Sequence, residues 1–273
     1  MRIILALSAF TCVFLFSCKK EDDLSNNSGG SNPTRLVKMV TKSGSDSTVY
    51  NFTYNSSGKI TAANLSGAES GQPIDLRVTY IRNASGIIQK QVLKSNEFAA
   101  VGIDSIVTIV NYDAGNNRYK NAVSVFSIFG FSIRDSIVFQ YDASGKMITE
   151  IDYTDGGGGT YDPSTKTEYS YSGNNVLSEK FYSYGGAAFD LDETDTYEYD
   201  AKTNPLQFAS DAVVLNLVPF YSANNTTKTT VVASNPADNY ITTETYTYNS
   251  SNRPATSTSV TGSETATTTY YYQ

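Results

Sequence analysis

Residues 137–146 read Ile-Val-Phe-Gln-Tyr-Asp-Ala-Ser-Gly-Lys, and this stretch decides the fold. Ile137, Phe139 and Tyr141 are spaced two residues apart, so in a strand they lie on the same face. The next four residues, Asp142 to Gly145, predict a type I turn, because Asp suits its first position and Gly accepts the positive φ that closes it. The stretch therefore predicts one strand of a hairpin and its turn.

The same order of an aromatic or apolar residue, a polar residue, Tyr and a turn recurs along the chain. The last Tyr of each copy is Tyr54, Tyr80, Tyr112, Tyr141, Tyr171, Tyr199, Tyr248 or Tyr272. The spacings are 26, 32, 29, 30, 28, 49 and 24 residues. We interpret the gap of 49 residues as hiding a degenerate copy around Phe220-Tyr221. A period of about 28 residues accommodates two strands and two turns.

Composition and periodicity both favour strands. The chain contains 21 Tyr and no Trp, and no apolar stripe of helical period follows residue 34. We predict an all-β, antiparallel up-and-down meander of about 14–16 strands, built from two-strand repeats of about 28 residues. A sheet of this width must curl or close, so we expect a strongly curved sheet or a barrel.

The repeats also make predictions about individual residues. Gly58 and Gly145 should have positive φ in hairpin turns, and Tyr54 should share a face with Phe52, as Tyr141 does with Phe139. We assign residues 34–273 to a single β-meander domain. The glycine run Gly156 to Gly159 lies within one repeat, and we interpret it as a hairpin loop.

The N-terminus predicts export and lipidation. Arg2 precedes a mostly apolar stretch, Ile3 to Phe16, which is shorter than the ~20 residues of a membrane-spanning helix. Leu15-Phe16-Ser17-Cys18 resembles a lipobox, so we predict a signal peptide at 1–17 and a diacylated Cys18. The alternative is a transmembrane anchor that is never cleaved. Cys12 would leave with the signal.

The residues after Cys18 indicate a tether and an address. Lys19-Lys20-Glu21-Asp22-Asp23 resembles the export signal of Bacteroidetes surface lipoproteins, and Leu24 to Pro33 is rich in Ser, Asn and Gly. We predict that residues 18–33 form a flexible lipidated tether. The predicted lipid implies a membrane as the first partner. We predict an outer membrane lipoprotein at the cell surface; the alternative is the periplasmic face of the outer membrane.

A family resemblance rests on the same motifs. Tyr141-Asp142-Ala143-Ser144-Gly145-Lys146 resembles the Tyr-Asp (YD) repeat of large bacterial surface and toxin-shell proteins. With the lipobox, the whole pattern is similar to uncharacterised Bacteroidetes lipoproteins with a porin-like β-meander domain. The resemblance covers residues 34–273 and departs from the pattern between Leu206 and Thr230. It implies a fold and carries over no catalytic residue.

Charge and composition exclude several functions. Lys and Arg number 20 against 27 Asp and Glu, for a net charge of −7, which argues against nucleic acid or an anionic membrane surface as a partner. The chain has no His, so serine and cysteine hydrolase schemes and the usual zinc sites are not expected. We predict no catalytic residues, no metal site and no cofactor. Asp190 to Asp195, the densest acidic stretch, is interpreted as a solvated loop before the Tyr197 strand rather than a calcium site.

Three short motifs predict modification. Asp46-Ser47-Thr48, Asp104-Ser105-Ile106 and Asp135-Ser136-Ile137 resemble the O-glycosylation signal of Bacteroidetes exported proteins. The resemblance implies Ser47, Ser105 and Ser136 as acceptors. A polar strand entry fixed by the repeat explains the same residues.

The repeated aromatic residues leave three functions open. Tyr rows can simply stabilise a sheet, or they can line a concave face that binds a glycan or an apolar molecule. They could also form the girdles of an integral outer-membrane barrel, although Thr226 to Thr230 and Thr256 to Ser259 are polar for a lipid face. We predict a non-enzymatic binding or structural module. The enzymatic alternative is a carboxylate-based glycan hydrolase, which an acidic pair facing one cleft would favour.

Overall fold

The computed structural model describes residues 35–128, 131–155, 159–207, 211, 214 and 222–273. These residues form sixteen strands, a short helix α1 at Asn96–Ala100 and a turn of 3-10 helix at Pro236–Asp238. The strands are β1 Leu36–Ser43, β2 Asp46–Tyr54, β3 Ile60–Glu69, β4 Gln72–Arg82, β5 Ile88–Ser95, β6 Ile106–Asp113, β7 Arg118–Ile128, β8 Phe131–Tyr141, β9 Met147–Asp155, β10 Asp162–Ser172, β11 Asn175–Tyr184, β12 Phe189–Thr203, β13 Asn224–Ala233, β14 Tyr240–Tyr248, β15 Pro254–Thr261 and β16 Glu264–Tyr272. Among the described residues, no helix is long and apolar enough to cross a membrane.

The sheet is an up-and-down barrel that closes on itself. Each strand pairs antiparallel with its sequence neighbours, and β1 pairs with β16 through contacts such as Met39 with Tyr270. Closure removes the two free edges that a sixteen-strand meander would otherwise expose. The predicted all-β antiparallel meander is confirmed, and of the two forms expected, a strongly curved sheet or a barrel, the structure has the closed barrel.

Each repeat is a hairpin with a bulge at a fixed place. Thr53 and Tyr54 at the end of β2 pair with Ala62 and Ile60 of β3, so Thr61 is an extra residue without a partner in the register. An equivalent extra residue occurs near the start of each of the other odd-numbered strands. Because the bulge lies on the partner strand, Tyr54 keeps the inward face of Phe52, as predicted.

The turns have the predicted geometry. Gly58 has φ +79 and Gly145 has φ +85. The side-chain oxygen of Asp142 accepts hydrogen bonds from the backbone N–H of Ser144 (2.8 Å) and Lys146 (2.9 Å). Asn55 caps its own turn in the same way. In both turns the Asx side chain accepts backbone hydrogen bonds, and the glycine adopts the positive φ that the turn requires.

Five of the eight repeat tyrosines form a belt that joins neighbouring hairpins at the end of the barrel that holds these turns, whereas Tyr112 and Tyr248 donate to Asn117 and Asp200. The hydroxyl of Tyr171 donates to the backbone carbonyl of Met147, at 2.6 Å. Equivalent bonds join Tyr54 to Leu36, Tyr141 to Tyr119, Tyr199 to Val176 and Tyr272 to Pro254. We call this the tyrosine end. The opposite end, which holds the connections from each odd-numbered strand to the next strand, such as that from β1 to β2, is called the hairpin end. Each hydroxyl satisfies a carbonyl that the bulge leaves free of the ladder.

The second copy departs from the sequence prediction. Tyr80, assigned to the repeat, lies two residues before the bulge, and its buried hydroxyl has no hydrogen-bond partner. The belt position is taken by Arg82, whose guanidinium donates to the carbonyl of Ile60 at 2.8 and 3.0 Å. An Arg can replace Tyr here because both present a donor at the end of a long side chain.

The spacing of 49 residues comes from a long connection between β12 and β13. These two strands pair directly, for example Thr196 with Thr230, so no further hairpin lies between them in the sheet. Phe220-Tyr221, where a degenerate copy was expected, lies outside the described residues. So does most of the glycine run, of which Gly159 alone is described.

Candidate functional site

One half of the barrel's inner wall is closely packed. Many inward side chains on β1 to β8 are buried, among them Phe52, Val78 and Phe139, and others, such as Tyr50 and Ile137, are half-buried. They share one apolar cluster with Leu206 and Val214 of the connection between β12 and β13. Side chains of a sixteen-strand wall are too short to fill the interior, so a segment of chain occupies part of it.

Polar contacts fasten that connection to the opposite wall. The carboxylate of Asp211 accepts hydrogen bonds from Arg82 on β4 and from the Tyr119 hydroxyl on β7, each at 2.8 Å. Gln91 on β5 donates from Nε2 to the carbonyl of Val214. We call residues 204–223 the strap, and of its middle part only Asp211 and Val214 are described here.

The other half of the inner wall is accessible. On β9 to β14 many inward side chains are half-buried, including the aromatic residues Tyr169, Phe181, Tyr197 and Tyr246, whereas Met147, Val176 and Val231 are buried. Their inward direction follows from the register, which pairs Phe181 with Thr167 and with Glu193 on either side. A concave face of this kind, lined by aromatic rings and polar groups, is typical of a ligand site.

Carboxyl groups run across this accessible wall from strand to strand. Glu150 and Asp152 lie on β9, Glu179 on β11, and Glu193 and Asp195 on β12. Each faces inward, because the register pairs Glu150 with inward Phe139 and Glu179 with Asp195. We call these five residues the luminal carboxyl row.

Enclosure by protein raises the pKa of every group in the row. Burial, followed by the charge of Asp195, raises the pKa of Glu179 to about 8. Burial and then Glu193 raise the pKa of Asp195 to about 7. The pKa values of Glu150 and Asp152 are raised first by burial and then by neighbouring carboxylates. With pKa values of about 8 and about 7, Glu179 and Asp195 can carry a proton near neutral pH, which lets them both donate and accept hydrogen bonds.

The row bears on the hydrolase alternative. A glycosidase needs one carboxyl that keeps its proton beside one that is ionised. Burial raises the pKa of all five groups in the row, so the direction of the shift assigns neither of these two roles to a particular residue. Among the described residues, no group of three or more Asp, Glu, His or Cys is arranged to hold a metal ion.

The acidic stretch 190–195 is a strand and not the solvated loop that we predicted. It forms the first part of β12, where Asp190 and Asp192 are exposed while Glu193 and Asp195 belong to the luminal row. The prediction was wrong because the acidic composition alone does not distinguish the inward acids Glu193 and Asp195 from the exposed acids Asp190 and Asp192. Their alternation was the signal that could have separated the two sets.

The other site residues remain predictions. Cys18 lies outside the described residues. Ser47 and Ser136 are half-buried on the outward faces of β2 and β8, where they pair with Lys42 and Val123. Ser105 lies in the connection before β6, and its hydroxyl is 3.4 Å from an oxygen of Asp104. All three serines are outside the lumen.

The outer wall is mostly polar. On β13 to β16 Thr is the commonest outward residue, and hydroxyl pairs such as Thr247 with Thr256 (2.7 Å) link the strands. Charged pairs also face outward, including Lys166 with Glu168 (2.7 Å) and Lys228 with Glu198 (2.8 Å). Apolar residues face outward as well, and on β6 and β7 Ile109 pairs with Val123.

Solved structures share this architecture. A porin-like protein from Bacteroides uniformis matches with a TM-score of 0.55 at 14% identity, over 89% of this chain and 98% of that one. A porin-like protein from Bacteroides vulgatus matches with a TM-score of 0.52 at 11% identity, over 88% and 99% of the two chains. At such low identity the likeness concerns the fold alone. No family model and no curated protein matches the chain.

Proposed function

We propose that this protein is a non-enzymatic binding module, carried on the outer membrane by a lipid on Cys18, and that it binds a glycan in the accessible half of its lumen. One observation supports this most directly. Leu206 and Val214 of the strap pack against the apolar half of the inner wall, while the aromatic rings and carboxyl groups of the other half are only half-buried. The open half is the surface that a ligand can reach.

The chemistry of the open wall favours a hydroxyl-rich ligand over an apolar one. Tyr169, Phe181 and Tyr197 present ring faces, and the luminal carboxyl row can accept or donate hydrogen bonds to sugar hydroxyls. An apolar ligand would have to bury these carboxyl groups without partners, which is unfavourable. The apolar wall that would suit it is already covered by Leu206 and Val214.

A glycan hydrolase is the second candidate, because acidic side chains do face one lumen. Incubating the protein with oligosaccharides that it binds, and following reducing ends, distinguishes a hydrolase from a binding module. Turnover that disappears in a Glu150→Gln or Glu179→Gln variant would establish the enzyme.

The polar outer wall supports a barrel that stands in water. A lipid-facing barrel carries an uninterrupted apolar band, whereas here Thr, Ser and Lys interrupt the outward positions of most strands. The surface location, the tether and the lipid of Cys18 are parts of this proposal.

Luminal binding can be tested with a matched pair of variants. A screen of soluble polysaccharides identifies a ligand, and titration calorimetry then compares Phe181→Ala with Tyr182→Ala. Phe181 faces the lumen and Tyr182 faces outward one residue later. We expect Phe181→Ala to weaken binding about tenfold, for a lost ring contact of ~1–1.5 kcal/mol, and Tyr182→Ala to leave it unchanged. Equal effects of both variants would rule out the lumen as the site.

Lipidation is tested separately. Mass spectrometry of membrane-extracted protein should show an acylated N-terminal cysteine, and a Cys18→Ala variant should leave the membrane fraction. A processed Cys18→Ala protein that still fractionates with the membrane would disprove the anchor.

A further inference from the structure

Basic side chains lie around the rim of the tyrosine end of the barrel, at equivalent positions of successive repeats. Four of them lie over an aromatic ring of the following repeat, as Lys146 does over Tyr171 with its Nζ 5.2 Å from the ring centroid. The other pairs are Arg35 over Tyr54 at 5.2 Å, Arg118 over Tyr141 at 4.8 Å and Lys202 over Tyr248 at 5.8 Å. We define the basic crown as Arg35, Lys59, Arg118, Lys146, Lys202 and Arg253.

The crown keeps its charge. Lys59 donates to the carbonyl of Gly86, Lys146 to that of Gly173, and Lys202 to the amide oxygen of Asn252. These acceptors are neutral, so the contacts orient the cations without cancelling them. In the described part of the chain, no crown residue forms a salt bridge. The crown side chains are exposed or half-buried.

The two ends of the barrel therefore differ in charge. Beside the crown, the turns of the tyrosine end contribute the carboxylates Asp113, Asp142 and Asp200. The connections and strand ends of the hairpin end are rich in acids, namely Asp46, Glu69, Glu97, Asp104, Asp155, Asp162, Asp190, Asp238 and Glu264. A chain with a net charge of −7 thus presents a net positive end.

The N-terminal segment enters the barrel at this same end. The backbone N–H of Arg35 donates to the carbonyl of Gln273 at 3.1 Å, beside the belt residue Leu36. If Cys18 is lipidated, 16 residues separate the lipid from residue 35 in the sequence. A flexible chain of that length spans roughly 20–24 Å, which brings the tyrosine end close to the membrane.

We propose that the basic crown docks on the anionic headgroups of the membrane that holds the Cys18 lipid, so that the barrel stands on its tyrosine end with the hairpin end outward. This inference rests on the proposed lipid anchor for its choice of surface. Lys and Arg near an anionic surface each add to its attraction. The acidic hairpin end is repelled by the same surface, which fixes the orientation.

A second copy of the chain is the competing occupant, since its acidic end could meet the crown of the first. The tether disfavours that arrangement, because the second barrel would have to fit between the crown and a membrane roughly 20–24 Å away.

Vesicle sedimentation tests the docking without relying on acylation. The otherwise complete mature chain with Cys18→Ser is mixed with vesicles of phosphatidylcholine alone or with added phosphatidylglycerol, at low and high salt. The crown variant carries Arg118→Gln, Lys146→Gln and Lys202→Gln. The matched control removes the same charge elsewhere, through Lys42→Gln, Lys94→Gln and Arg134→Gln, and circular dichroism checks that both variants fold.

We expect binding to the phosphatidylglycerol vesicles alone, weakened by salt, and lower in the crown variant by on the order of 100-fold. Equal loss in both variants, or no binding at low salt, would overturn the proposal. Head-to-tail self-association in sedimentation velocity that the crown variant abolishes would assign the face to a second copy instead. Failure of acylation at Cys18 leaves these results unaffected, so the two proposals can fail separately.

Discussion

Glu179 illustrates what the barrel does to a single carboxyl group. Its side chain faces a lumen walled by protein, close to Asp195 and to the ring of Tyr197. Enclosure there penalises the charged form and raises its pKa to about 8. An ordinary glutamate has a pKa near 4.3, so the folded chain holds this proton at pH values where the unfolded chain has lost it.

The sign of the pH dependence follows from that difference. Stability from the protonated carboxyl is complete below the unfolded pKa and is lost as pH rises through about 8. We expect the unfolding free energy to fall by on the order of 1–3 kcal/mol between pH 5 and pH 9, which a lower melting temperature would reveal. Glu179→Gln should flatten the profile. Glu198→Gln, which changes an outward residue of β12, should not, and an equal flattening there would contradict the assignment.

Gly145 allows a second test on one residue. Its φ is +85, and a Cβ added there would meet no atom within 4 Å. The effect of Gly145→Val should therefore come from backbone strain alone and destabilise the fold by about 1–2 kcal/mol. Thr247→Val, at an outward strand position, should be mild. Urea unfolding of both variants gives the comparison, and a larger loss at Thr247 would refute the argument.

At the scale of the element, the repeat contains more than the sequence pattern showed. The Tyr, the Asx residue and the turn glycine were predicted from sequence. The buried residue that follows the turn, such as Ile60 or Met147, and the bulge next to it became visible in the structure. The bulge frees a carbonyl, and the Tyr hydroxyl of the next hairpin satisfies it.

The belt can be tested by removing one hydroxyl. Tyr171→Phe deletes the donor to the carbonyl of Met147, and we expect a loss of about 1–2 kcal/mol because a half-buried acceptor is left unpaired. Tyr271→Phe is the matched control, since Tyr271 faces outward and is 41% exposed. Its effect should lie within about 0.5 kcal/mol. Thermal unfolding that showed the two variants alike would mean that the belt does not stabilise the barrel.

At the scale of the whole molecule, the described residues of the strap join the connection between β12 and β13 to the opposite wall of the barrel. The strap's described contacts are few, but the pair of Arg82 and Asp211 is well enclosed, with side chains 6% and 13% exposed. Tyr119 holds the second oxygen of the same carboxylate. Removing one partner of a buried ion pair destabilises the fold, because the other charge then stays buried without compensation.

Breaking that pair should weaken the entire barrel. We expect Arg82→Met to lower the unfolding free energy by about 3–5 kcal/mol, since Asp211 would remain buried without its cation. The double variant with Asp211→Asn should recover part of the loss, which a double-mutant cycle in urea measures. Additive effects of the two substitutions would show that the strap is not fastened through this pair.

The sequence by itself determined the strand periodicity, the hairpin turns, the approximate strand number and a curved or closed sheet. Those features depend on contacts between residues close in the chain, so a local pattern can encode them. It did not determine the luminal carboxyl row, the replacement of the belt Tyr by Arg82, or the basic crown. Glu150, Glu179 and Asp195 lie on different hairpins, and only barrel closure brings their side chains to one enclosed wall, where burial raises their pKa values.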